Sequence, residues 1–217
     1  ALFASTVQLL QKLVQRVGDS AAPAAGGQEH EDEFLVLQCE LKDDLAAYFA
    51  DRLGASHHLK TLLDVVEFNR DHAHQELQHF GQEIFESAID TEGRSGEPYK
   101  LARQRNLSWA LETCLGPAFE EFDLLVAPGY GPAWKSDLVI GEHGAVAGGS
   151  TTPAAIAGYP LLCVPMGLVS GLPVGLVISG RAHDEARMLA LGSELMKHLG
   201  TRPEDGFTSE FRAACRG

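Results

Sequence analysis

The chain has 217 residues, 45% hydrophobic and 22% charged, which suits one large domain or two small ones with a sizeable core. A formal net charge of -13 and the lack of any basic run exclude a phosphate-binding surface, so no nucleic-acid partner is expected. No apolar run is long enough to span a membrane, no signal-peptide pattern opens the chain, and Cys39, Cys114, Cys163 and Cys215 are spaced as free thiols of a reducing, cytoplasmic compartment.

Residues 1–17 carry an apolar stripe (Leu2, Phe3, Val7, Leu9, Leu10, Leu13, Val14, Val17) that predicts an amphipathic helix, stopped at Gly18. The chain opens on this pattern without a Met, which suggests a cut chain. Residues 20–33 are small and then acidic, and read as a surface loop. From Phe34 to Leu53 the apolar spacing is helical, with a possible break in the middle and Gly54 as the stop. Shorter helices are expected over Thr61–Asn69 and Gln82–Ile89. A longer one follows from Pro98 to Leu115, ended or kinked by Gly116-Pro117.

Asp123–Ala127 reads as a short buried strand, and residues 129–151 as Gly-rich and irregular apart from Leu138–Ile140. Thr152 is placed to cap a helix whose first residue is Pro153. Leu161–Val164 and Val174–Ile178 are continuously apolar, as strands covered on both faces are, with a Gly-Leu-Pro turn between them. Cys163 is expected to be a small buried hydrophobe of the first strand. Asp184–Leu199 is an amphipathic helix, acidic at its start and basic at its end, and residues 201–217 are a polar tail.

Four constellations invite chemistry. His72, Glu76 and His79 would share a face if 71–79 were helical, with His57-His58 nearby, but this is not the His-Glu-x-x-His spacing; a solvated face is the better reading, and no metal is assigned. Ser150, His143, Asp137 and His183 are present, yet no serine lies in a Gly-x-Ser-x-Gly elbow. The third is the segment from Ala127 through Trp134 to Asp137, a strand end followed by a Gly/Pro loop. It suits a pocket wall, although Trp134 plugging a core and Asp137 capping a turn fits equally well. Gly148, Gly149, Ser150 and Thr151 precede the next helix, where backbone N–H groups favour an anion or a developing oxyanion; close packing also explains such small residues.

The runs Asp123–Pro128, Gly131–Asp137, Ser150–Pro160 and Val164–Gly167, continuing through Gly171–Leu176 to Gly180-Arg181, together resemble the C-terminal half of the amidase signature family, in particular its peptide-amidase-like members. The similarity extends to Ala186–Leu195 and, more loosely, to Glu40–Leu45 and Thr61–Gln82, so nearly the whole chain is covered. It implies an α/β fold, an α/β/α sandwich around a mixed β-sheet, with residues 1–217 forming half of a single amidase domain. It also implies hydrolysis of carboxylic or peptide C-terminal amides to acid and ammonia, without cofactor or metal, by a lysine and two serines. Those residues belong to a Gly/Ser-rich N-terminal segment that does not occur here. Lys100, Lys135, Ser108 and Ser136 lack its context, so no catalytic residue is assigned and the chain alone is expected to be inactive.

By the same resemblance this half supplies a wall of the substrate pocket, shaped by Trp134, Asp137 and Gly148, Gly149, Ser150 and Thr151. Members that transfer ammonia to glutamyl-tRNA place an acidic residue where Gly148 aligns, which favours a less polar amide substrate here. The expected partners are that substrate and the N-terminal half of the same enzyme, because half a sheet leaves a long open edge. The alternative is a non-catalytic scaffold or binding module that keeps the fold without the chemistry.

Overall fold

A computed structural model describes residues 1–20, 27–54, 56–134, 137–139, 141 and 150–199. In chain order its elements are α1 (Leu2–Leu13), α2 (Gln28–Arg52), α3 (Leu62–Asp71), α4 (Ala73–Glu76), α5 (Glu83–Ile89), a 3-10 turn (Gly93–Ser95) and α6 (Glu97–Ser108). There follow a π-helical segment (Trp109–Leu115), α7 (Gly116–Glu121), β1 (Leu125–Pro128), α8 (Thr152–Ala157), β2 (Leu161–Val169), β3 (Leu172–Ser179) and α9 (Glu185–Leu199). The chain forms two compact units: residues 1–25 with 109–217, and residues 26–108.

The first unit is built on a sheet of order β1-β3-β2, antiparallel at both junctions. Period-two alternation sends Leu162, Val164 and Met166 of β2, Val174, Leu176 and Ile178 of β3, and Val126 of β1 to one face. There they meet Leu10 of α1 and Met188 and Leu195 of α9. A second apolar cluster joins Leu125 of β1 to Trp109, Cys114 and Leu115 of the π segment, Phe119 of α7, and Ile156 and Tyr159. Because Leu125 and Val126 are successive residues of one strand, these two clusters lie on opposite faces of the sheet. The result is the helix–sheet–helix layering of an α/β sandwich, with Leu176, Ile178 and Leu195 fully buried at its centre.

The strands depart from expectation on one side. Among the described residues β2 lies at an edge of the sheet, and the side chains opposite its core face are exposed, Cys163 included. Cys163 is therefore not a buried hydrophobe: it alternates away from Val164 and Leu162, which carry the packing. The β2–β3 turn is Ser170-Gly171, both at positive φ (52° and 79°), and Leu172-Pro173 already lies in β3. Positive φ at both central residues is what a tight two-residue hairpin demands, and Gly171 supplies one of them without strain.

Gly116-Pro117 does not end the helix. Proline has no N–H for the ladder and crowds the preceding turn, and the helix passes it by widening into the π segment and resuming as α7.

The second unit is helical and held largely by polar ties. α2 is unbroken and starts at Gln28, so residues 28–33, expected in the surface loop, are helical; Glu29 and Glu31 in the first turn favour its dipole. Residues 21–26 and the 201–217 tail lie outside the described residues. Asp32, 3% exposed, accepts from Arg105 Nε (2.7 Å) and Nη2 (2.5 Å) and from Gln28 Nε2 (2.9 Å). The Arg105 guanidinium holds its carboxyl below the usual carboxylate range. Asn106 donates to Glu29 O (3.1 Å) and accepts from Glu33 N–H (2.8 Å).

Lys42 Nζ donates to Ile89 O (2.7 Å) and Thr91 O (2.5 Å), closing the end of α5, while Asp43 accepts from Arg94 N–H (2.7 Å). Tyr99 donates to Glu40 (2.8 Å), and burial, reinforced by that carboxylate, raises its phenol above its ordinary pKa. Thr61 and Asp64 form a capping box at the start of α3. That helix ends at Asp71 and α4 covers only residues 73–76, so His72, Glu76 and His79 share no helical face; among the described residues no group of three His, Cys, Asp or Glu side chains could hold a metal.

Candidate functional site

The expected pocket wall belongs to the first unit, where β1 ends. Val126 and Ala127 pair with Ile178 and Val177, and Gly129 N–H donates to Gly175 O (3.0 Å), so the strand end is pinned before the chain turns out into the loop. Ser150 returns to this point: its hydroxyl donates to Pro128 O (2.9 Å). The proton a serine nucleophile would pass to a base is thus committed to a backbone carbonyl, and Ser150 works here as a tie. Thr151, not Thr152, is the N-terminal cap residue of α8. It makes no side-chain cap bond, its carbonyl accepts from Ala155 N–H (2.9 Å), and Pro153 sits one position further in than expected.

Asp137 organises a turn. Its Oδ1 accepts from Val139 N–H (2.8 Å) and its carbonyl from Gly141 N–H (3.0 Å), as the turn-capping reading anticipates. Trp134 is 39% exposed, so it does not plug the core. Gly148, Gly149 and His143 lie outside the described residues.

A cavity of about 1010 Å³ runs along β1. Leu115, Leu125, Val126 and Pro153 give it an apolar lining, Ser150 and Ser179 add hydroxyls, and residues 14–18 form the opposite side. Its rim charges are mutually paired: Arg16 with Glu121 (3.2 Å) and Arg187 with Asp123 (2.8 Å). Of the expected wall residues that are described, Ser150 lines this space, and Trp134, Asp137 and Thr151 do not.

Sequence reasoning missed the side chains that hold the wall from behind. Arg181, just beyond β3, donates to Phe119 O and lies with its guanidinium 5.0 Å from the Phe119 ring centre. Phe119 in turn meets Tyr159 (6.1 Å between centroids, 48° between planes), the residue that closes α8. Arg16 treats the same short helix alike, donating to Glu121 O (2.8 Å) and lying 4.7 Å from the Phe122 ring centre. In the sequence Arg181 stands out as the end of the Gly180-Arg181 pair that follows a buried strand, and nothing there reveals a partner 62 positions away.

No family model matches the chain. Among solved structures, that of the protein PAM12A covers 96% of the chain at 32% identity with a TM-score of 0.85. That of peptide amidase from Stenotrophomonas maltophilia covers 96% at 31% identity with a TM-score of 0.80. Among curated proteins, a glutamyl-tRNA(Gln) amidotransferase component of Archaeoglobus fulgidus is 39% identical over 177 residues, 77% of the chain. The chain spans 41% of each of the two structures and 36% of the amidotransferase component. Such agreement in fold and sequence, on top of the ordered motifs from Asp123 to Arg181, means that the chain belongs to the amidase signature family and matches a C-terminal portion of its fold.

Proposed function

We propose that the chain is the C-terminal half of an amidase that hydrolyses carboxylic or peptide C-terminal amides to acid and ammonia. The observation that carries this reading is the likeness to peptide amidase over 96% of the chain at 31% identity. In it Trp134, Asp137 and Gly148 to Thr151 border the substrate, with Ser150 tied to the end of β1. A glycine at 148 places no acidic side chain at that position of the border, which favours a less polar amide over a glutamyl-type substrate. The nucleophilic serine, its partner serine and the lysine base are assigned to an N-terminal half of the same enzyme, the expected partner of this chain, and the enzyme is assigned to the cytoplasm.

The test is ammonia release from a peptide amide by the 217-residue chain and by a protein extended through the coding sequence upstream of Ala1. Turnover by the extended protein alone is expected. Robust turnover by the short chain overturns the division of labour, and a native start near Ala1 with no turnover by either favours the scaffold.

A further inference from the structure

The interactions behind the pocket wall converge on one side chain. α7 is six residues long, and its last carbonyls have no partners further along the helix. Arg181 reaches one of them, Phe119 O, with a charge-assisted hydrogen bond, and covers the Phe119 ring with the same guanidinium. Its own backbone N–H donates to Asp184 Oδ2 (3.2 Å), so the arginine is fixed between the end of β3 and the start of α9.

The Phe119 side chain is buried and props the Tyr159 ring. Tyr159 N–H donates to Ala154 O (2.9 Å) and Gly158 N–H to Ala155 O (3.3 Å), with Gly158 in the left-handed region (φ 71°), so this end of α8 is closed around Tyr159. The other end of α8 carries Ser150 and Thr151. Sequence places Arg181 and α8 on separate elements; the rings of Phe119 and Tyr159 connect them.

We propose that Arg181 is a positioning residue: by anchoring Phe119 it holds Tyr159 and α8, and through α8 the Ser150–Thr151 border of the substrate wall. The functional half rests on the amidase reading; the structural half does not. Hydrogen exchange on the 217-residue chain tests the brace. In Arg181→Gln the amides of Ala155, Gly158 and Tyr159 should exchange roughly tenfold faster, the effect of losing one charged hydrogen bond, while those of Leu176 to Ile178 in β3 keep their protection.

Arg181→Lys still offers a donor and a cation over the ring, and should recover part of the protection. Unchanged exchange in α8, or equal acceleration in β3, overturns the proposal. Should Arg181→Gln fail to fold, Phe119→Leu removes the ring and leaves the carbonyl; acceleration confined to 155–159 supports the brace, and uniform or absent acceleration overturns it. In the extended protein, Arg181→Gln should raise KM for a peptide amide more than it lowers kcat, and an unchanged KM overturns the functional half. A wild-type extended protein without turnover sinks the amidase reading and leaves the exchange result standing.

Discussion

The two units are stabilised by different means. The sheet unit excludes water from interlocking aliphatic side chains: Leu176, Ile178, Met188 and Leu195 are at most 2% exposed, and its ion pairs lie on the surface. The helical unit buries Leu62, Val66 and Ala102, but its long-range ties are Asp32 to Arg105, Lys42 to two carbonyls, Asp43 to the Arg94 amide and Asn106 to the first turn of α2. Apolar packing is indifferent to pH and tolerates no lost volume, whereas polar ties tolerate reshaping and fail when one partner changes charge. Both tryptophans, Trp109 and Trp134, fall in the sheet unit, so their fluorescence reports that unit while far-ultraviolet circular dichroism reports helix in both.

The contrast is broken most severely by Leu176→Ala, which opens a cavity in the sheet core and should cost about 3 kcal/mol in denaturant unfolding followed by tryptophan fluorescence. Arg105→Ala should cost about 2 kcal/mol, because it leaves the Asp32 carboxylate buried with Gln28 as its remaining named partner. That loss should show in circular dichroism before fluorescence; coincident transitions would mean that the units unfold as one.

The same carboxylate sets a pH dependence. Its folded pKa is depressed, so its contribution is complete above the unfolded value of about 3.9 and vanishes as pH falls through the folded value. Acid unfolding of the wild type should therefore reach the helical unit first, and Asp32→Asn should flatten that dependence. Thr61→Ala removes one half of a capping box and should cost about 1 kcal/mol. Arg16→Ala, breaking an exposed pair, should cost under about 1 kcal/mol and respond to salt.

Local patterns were legible wherever one residue type has one local meaning. Thr61–Asn69 and Asp184–Leu199 were read as helices and form α3 and α9, and Gly54, read as a helix stop, stands just beyond α2. What escaped depends on partners. Residues 28–33 were read as loop because an acidic run resembles a solvated segment, although glutamates also suit a helix start. Cys163 was read as buried because four apolar residues in a row do not reveal that their strand lies at an edge. At the candidate site, Ser150 was named from its place before α8, but its bond to Pro128 and the Arg181–Phe119–Tyr159 brace join residues far apart in sequence.

The π segment makes this part of the chain a counter. Seven residues, Trp109–Leu115, are wound more loosely than the turns on either side, and Trp109, Cys114 and Leu115 within them, like Phe119 beyond them, are buried at that phase. Deleting one residue between 110 and 116 would let the helix recover a regular pitch and swing Phe119 by about a quarter turn, away from both Arg181 and Tyr159. Substitutions along this stretch act through volume, whereas changes in its length act through angle. Variation here should therefore preserve spacing more strictly than residue identity.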